Sequence, residues 1–293
     1  MNTSSTHCKI CDKFSRFIFT KKILSKYDVA YFKCQNCGFV QTEKPYWFAE
    51  SYESALSALD TGLLARPLAF SQITEKLIMQ YYNPNCKFVD YGGGNGIFVR
   101  LMRDKGFNFY RQDKYANNIY ARFFDISDLC EEESKFDLLT SFEVLEHLEN
   151  PLEALSEMFS YSENILCSTL LQPDIDINAL YAWDYIGELH GQHISFYTNT
   201  SMNIIAERFG CYFYSNNIGL HLLTPKKLNN INFHIFSSNN PAYIFGHLLL
   251  KVINMISDKL GRNAERSHPP SLTLKDSEWV QQQFAKGRAL NNK

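Results

Sequence analysis

The sequence predicts an α/β fold: a sheet of parallel strands with helices packed on it, preceded by a small cysteine-built module. Three observations carry this. Strand-length apolar runs alternate with helical patterns between residues 86 and 224. The first run, CKFVDYG, opens into GGGNG, four glycines in five positions at residues 92–96. Two C-x-x-C pairs, Cys8 with Cys11 and Cys34 with Cys37, stand ahead of it. The 293 residues, 45% hydrophobic and 20% charged, suffice for one large domain, or for a domain of about 150 residues with appended modules. A formal net charge of -2 excludes a general pull toward nucleic acid or anionic lipid. The N-terminus lacks the pattern of a signal peptide, and no apolar run reaches membrane-spanning length, so a cytoplasmic protein with no membrane span is expected.

The paired cysteines define the first element, residues 1–48. Each pair forms a tight knuckle, and with 22 residues between them the two bring four thiolates to the tetrahedral geometry of a structural zinc ion. Redox chemistry would instead need one reactive pair at a strand-helix junction. His7, beside Cys8, is a substitute ligand that four thiolates make unnecessary. FSRFIFT and YDVAYFKC, rich in aromatic and β-branched residues, predict two or three short strands of a zinc ribbon, too small to hold together without its metal. Cys86, Cys130, Cys167 and Cys211 lie in or beside apolar runs, where a thiol packs as a small hydrophobe.

Residues 49–82 repeat apolar side chains at three- and four-residue intervals, which predicts amphipathic helices connecting to the next domain and covering its cleft. That domain spans 83–224. CKFVDYG reads as a buried parallel strand and IFVRLMRDKGF as the following helix, ending at Gly106. FNFYRQD is the second strand, ARFFDISD the third, FDLLTSFEVLEHLENP the fourth with its loop, NILCSTLL the fifth, and CYFYSNNIGLHLLT a closing hairpin. The glycine loop is not a dinucleotide fingerprint, because counting from Gly92 its third glycine falls on Ile97, and no Gly-Lys-Ser or Gly-Lys-Thr ends it as in a P-loop. From residue 225 the chain becomes a polar linker and then a helical C-terminal extension to 293. There AYIFGHLLLKVINMISDKLG carries His247 and Lys251, which makes it a poor membrane span, and a last short helix lies within 271–293.

The remaining pattern, D-x-G-x-G-x-G at Asp90, Gly92, Gly94 and Gly96 with Gly93 additional, closely resembles the first motif of class I S-adenosylmethionine-dependent methyltransferases. The resemblance implies their Rossmann-like seven-stranded sheet. It also implies that the glycines touch the cofactor's methionine portion, Asp90 helps hold its ammonium group, Asp113 accepts the ribose hydroxyls and Asp125 neighbours the adenine amine. Asp113 follows Asp90 by 23 residues, which suits one strand-helix-strand unit. Phe142 and Glu143, where the fourth strand ends, are assigned to the cofactor as well. Together the C-x-x-C ribbon, EVLEH and the later GQHISFYT resemble bacterial methyltransferases acting on sugars or cell-surface polysaccharide precursors, over about residues 1–222.

The segment WDYIGELHGQHISFYTNTS, residues 183–201, precedes the helix MNIIAERFG, whose cap is expected near Thr200 or Ser201. It carries His190, His193, Tyr185 and Tyr197, among which an imidazole can take a hydroxyl proton near neutral pH. His193 is the expected base, with Glu143 and Tyr197 the other catalytic candidates. Sugar C-methyltransferases of this type carry a glutamate where this chain has Gln192, and glutamine is no base. That departure favours O-methylation of a small-molecule acceptor, a sugar or nucleotide sugar, with N- and C-methylation left open. Two alternatives stand beside it. Glu143, Glu146, His147 and His193 resemble the divalent-metal site of small-RNA 2'-O-methyltransferases, although no basic, aromatic path for nucleic acid surrounds them. The chain is otherwise a non-catalytic cofactor-binding assembly protein. The oligomeric state is left open.

Overall fold

A computed structural model describes residues 5–52, 62–129, 135–173, 175–228 and 268–285. In chain order its strands are β1 (Ser5–His7), β2 (Phe14–Ile23), β3 (Tyr27–Cys34), β4 (Val40–Thr42), β5 (Lys87–Tyr91), β6 (Asn108–Gln112), β7 (Leu138–Phe142), β8 (Ile165–Ser168), β9 (Ser195–Phe196), β10 (Tyr212–Ser215) and β11 (Leu220–Thr224). The helices are α1 (Phe48–Ser51), α2 (Ala65–Tyr81), α3 (Ile97–Asp104), α4 (Pro151–Tyr161), α5 (Ile177–Tyr181), α6 (Asn199–Arg208) and α7 (Thr273–Ala285). Two compact units result, Met1–Leu59 with Ser141–Phe233 and Asp60–Thr140 with His234–Lys293.

In the first unit the ribbon is a five-stranded sheet of order β1-β2-β3-β4-β9. Its fifth strand comes from the segment that carries His193: Val40 pairs with Phe196 and Gln41 with Ser195. Alternating apolar residues on β2 and β3 place Phe19, Ile23, Val29 and Tyr31 on one face, where they form a single core with Trp47, Leu180, Ile186, Ile194 and Phe196. Trp47 Nε1–H donates to the Gly191 carbonyl at 2.7 Å, so this core also fixes backbone beside the histidines. The ribbon expected from the sequence thus has a core shared with residues 180–196. A two-residue strand leaves no periodic signal, which is why the pattern did not announce β9.

The second unit holds β5, β6 and the first three residues of β7, all parallel, with β5 central. KFVDY is buried along nearly its whole length, as a strand covered on both faces requires. Helix α3 follows the glycine loop. At its far end Arg103 makes a bidentate pair with Asp276 of α7, at 2.8 and 2.7 Å, and Arg100 joins the same carboxylate at 2.9 Å. The last predicted helix therefore exists, docked on α3. The long helix expected at 242–261 lies outside the described residues, as does Cys130. No helix among the described residues is long and apolar enough to cross a membrane.

Among the described residues the second sheet has six strands, in the order β10-β11-β8-β7-β5-β6, where seven were expected. The absent one is the third, ARFFDISD, of which only a single bridge, Arg111 with Asp125, forms. Phe123 takes φ +68°, which turns the chain out of extension. Residues 126–128 then coil into a 3-10 turn, with the Asp125 N–H bonded to Asp128 Oδ2 at 3.0 Å. Helix α6 starts two residues earlier than expected. Thr198 is its cap, because Ser201 completes a reciprocal pair of bonds with it at 2.9 and 3.0 Å.

Candidate active site

The glycine loop leaves β5 at Tyr91, and its conformation shows why glycines stand there. A Cβ on Gly93 would lie 2.8 Å from both Asp90 Oδ2 and Arg111 Cγ. At Gly94, φ is +52° and a Cβ would meet nothing within 4 Å among the described residues, so open space lies above this peptide. Asp90 is 4% exposed and accepts a 2.7 Å bond from the Thr140 hydroxyl. Burial pushes its carboxyl up to about 7; the nearby charge of Asp113 adds to this, while the Thr140 bond and Arg111 oppose it.

Were Asp90 the partner of the cofactor's ammonium group, as the sequence leads one to expect, a carboxyl raised in this way would ionise as that group arrives. Affinity for S-adenosylhomocysteine is therefore expected to fall about tenfold per pH unit below 7 and to level off above it. Calorimetric titration between pH 5.5 and 8.5 checks this, and a flat profile would remove Asp90 as the ammonium's partner.

Asp113 stands just beyond β6 and grips backbone on both sides. Its Oδ2 accepts the Gly94 N–H at 2.9 Å, and its Oδ1 those of Tyr115 and Ala116 at 2.8 and 2.7 Å. Asp125 accepts from Arg111 Nε at 2.6 Å and from Asn118 Nδ2 at 2.9 Å. Asp90, Gly92, Gly93, Gly94, Gly96, Asp113 and Asp125 thus all belong to one unit, around one loop.

The first unit gathers the histidines. His193 is half-buried, and its Nδ1 lies 2.5 Å from the Tyr185 carbonyl oxygen. A carbonyl only accepts, so Nδ1 carries the hydrogen and Nε2 is the basic nitrogen. The Nδ1 of His147 faces the Gln192 carbonyl and the Tyr52 hydroxyl, both at 3.1 Å, which makes Nε2 basic there too. Burial lowers His147 to about 4 and keeps it neutral. The rings of His147 and His190 lie 4.8 and 4.7 Å from that of His193. Glu146, fully buried, offers a carboxylate oxygen that falls within 4.8 Å of donor atoms of His147 and His193. Such a set suits a divalent ion.

Glu143 does not join that group. It takes φ +55°, and its Oε1 and N–H both bond the Ser168 hydroxyl. Phe142 ends β7 beside it, partly buried. Tyr197 is fully buried; its hydroxyl donates to the Leu145 carbonyl at 2.9 Å, and burial pushes the phenol well above its ordinary value. The phenol therefore holds the backbone of the EVLEH turn. Sequence reading missed Tyr52, which reaches His147 from the end of α1 and carried no motif.

Cys8, Cys11, Cys34 and Cys37 converge at one end of the ribbon, with sulfur-sulfur distances of 3.4 to 3.6 Å for three of the pairs. Backbone N–H groups of Ile10, Asn36 and Cys37 point at the sulfurs of Cys8 and Cys34 from 3.4 to 3.5 Å. The Cys37 thiol bonds Cys8 and holds it down to about 5, while the same bond pushes Cys37 up. Four thiols in this arrangement suit a tetrahedral ion.

A methyltransferase-domain family model matches residues 60–216. No curated protein matches the chain. Among solved structures, the magnesium protoporphyrin IX methyltransferase of Synechocystis is 14% identical, covering 60% of this chain and 92% of its own, with a TM-score of 0.40. The 1,6-didemethyltoxoflavin-N1-methyltransferase of Burkholderia thailandensis is 11% identical over 70% of this chain and 97% of its own, at 0.43. A plantazolicin methyltransferase is 12% identical over 61% and 93%, at 0.42.

Proposed function

Because the chain belongs to the methyltransferase-domain family and is an S-adenosylmethionine-dependent methyltransferase, we propose that it methylates a hydroxyl of a small polar acceptor, a sugar or polysaccharide precursor, with His193 as general base. The observation that carries this reading is the His193 hydrogen bond to the Tyr185 carbonyl, which leaves Nε2 as the basic nitrogen of a half-buried ring. The bound cofactor supplies an electrophilic methyl group on a sulfonium. Asp90 takes the cofactor's ammonium group, Asp113 its ribose and the glycine loop its methionine portion. His193 Nε2 would receive the proton of the acceptor hydroxyl, whose oxygen would take the methyl group in exchange for the cofactor's sulfur. Tyr197 acts at one remove, by fixing the Leu145 backbone. Structural zinc on the four cysteines completes the reading, supported by sulfur spacings near the roughly 3.8 Å that Zn–S bonds of about 2.3 Å give in a tetrahedron.

His193→Ala is expected to lower turnover about a hundredfold or more while affinity for S-adenosylhomocysteine stays near that of the parent, since proton transfer belongs to the chemical step. The assay is a panel of nucleotide sugars incubated with the methyl donor and scanned by mass spectrometry for one added methylene. A variant as active as the parent would remove His193 from the mechanism.

One observation favours a second reading, the convergence of Glu146, His147 and His193. There Glu146, His147 and His193 would hold a divalent ion, which would supply a lowered pKa to a hydroxyl bound to it. A mild chelator then abolishes turnover, magnesium or manganese restores it, and Glu146→Gln costs as much as His193→Ala because ligands of one ion act as a unit. Under the first reading the chelator has no immediate effect.

A further inference from the structure

We infer that Arg111 is a positioning residue for the cofactor, holding Gly94 by its carbonyl while Asp113 holds it by its N–H. Arg111 is 6% exposed, on β6 two residues before Asp113. Its Nη1 donates to the Gly94 carbonyl at 2.6 Å and to the Ala116 carbonyl at 2.9 Å, and its Nε to Asp125 Oδ1 at 2.6 Å. Asp113 takes the N–H groups of the same two residues, Gly94 and Ala116, at 2.9 and 2.7 Å. Two residues, one in the glycine loop and one in the loop after β6, are therefore each held at their N–H and at their carbonyl by the same two side chains.

The brace answers a cost built into the loop. Glycine loses more conformational freedom on ordering than any other residue, and Gly94 sits in the left-handed region with no side chain of its own to pack. A loop left free would be ordered at the expense of binding; one held before the ligand arrives is not. Only a planar guanidinium reaches three acceptors in fixed directions, and an ammonium at the same place is a single charge on a flexible stem. The inference rests on the cofactor reading above.

The test is calorimetric titration of the full-length parent and Arg111→Lys with two probes. One is S-adenosylhomocysteine; the other is 5'-methylthioadenosine, which keeps the nucleoside and sulfur but lacks the amino-acid portion. Arg111→Lys should lose about tenfold or more in affinity for S-adenosylhomocysteine, as expected for losing a charge-assisted hydrogen bond, and less than about threefold for 5'-methylthioadenosine. Equal losses for both probes, or none, would overturn it, because a residue that only supports the fold has no reason to act on one half of the ligand. If Arg111→Lys does not fold, as read by circular dichroism, Arg111→Gln takes its place with the same criteria. A parent that binds neither probe would sink the cofactor reading, and this inference with it.

Discussion

Cys34→Ser is expected to leave the purified protein without zinc, to unravel the five-stranded sheet and to abolish methyl transfer. Three cysteines and a serine bind zinc far more weakly than four thiolates, and structural zinc supplies apparent folding energies of about 10–16 kcal/mol in zinc-finger peptides. That rivals the roughly 5–15 kcal/mol that stabilises a whole domain. The damage should travel, because the cysteine end and the histidine segment are bonded together. The Thr198 hydroxyl donates to the Cys37 carbonyl at 2.6 Å, the Thr42 N–H to the Ile194 carbonyl at 3.1 Å, and the Gln192 amide to the Ser51 carbonyl at 2.8 Å. His193 sits between the last two. Metal analysis, limited proteolysis and turnover read the three parts of the prediction. Zinc content unchanged in the variant would reject the site, and full activity in a zinc-free variant would reject the coupling.

Asp276→Ala should cost about 3–5 kcal/mol of stability, the toll for removing one partner of a buried ion pair and leaving the other charge uncompensated. Both side chains are buried, with relative accessibilities of 6% for Arg103 and 7% for Asp276. The Arg103 guanidinium also lies 3.7 Å from the Phe124 ring centre and donates to Asn108 and to the Phe109 carbonyl, so it cannot swing out to water without breaking those contacts. Thermal unfolding should shift down by roughly 10 °C. Replacing both partners, Arg103→Met with Asp276→Leu, should recover only part of the loss: the two apolar groups need no compensation, but Arg100, Asn108 and the Phe109 carbonyl each lose a bond. A shift of less than about 2 °C for Asp276→Ala would mean that α7 contributes little to the unit.

The glycine loop was legible in the sequence because its requirements are local. Asp90, the glycines and Asp113 must follow one another at intervals set by one strand, one turn and one helix, and those intervals survive as letter spacings. The same holds for the cysteines, where each knuckle closes within four residues and the two knuckles then have one geometry in which to meet. The third strand was misread for an equally local reason. ARFFDISD has strand composition, but Phe123 turns left-handed and Asp128 takes the Asp125 N–H, and propensity does not register either event. The helix cap was displaced from Thr200 to Thr198 because Ser201 serves as the reciprocal partner, not as the cap.

By itself, then, the sequence determined the family, the glycine loop after the first strand and the cysteine cluster, all built from residues close in the chain or paired by a fixed spacing. Only the tertiary structure decided what surrounds His193. Its Nδ1 bond to Tyr185 sets the tautomer, Tyr52 reaches His147 across 95 residues, and β9 joins the ribbon sheet across more than 150. It also decided that Glu143 turns to Ser168 while Glu146 stands with the two histidines. The reason is physical. Periodicity and spacing record what a segment must bury and how it must turn, whereas a hydrogen bond between distant segments depends on where the packed core brings their backbones, and no local pattern encodes that.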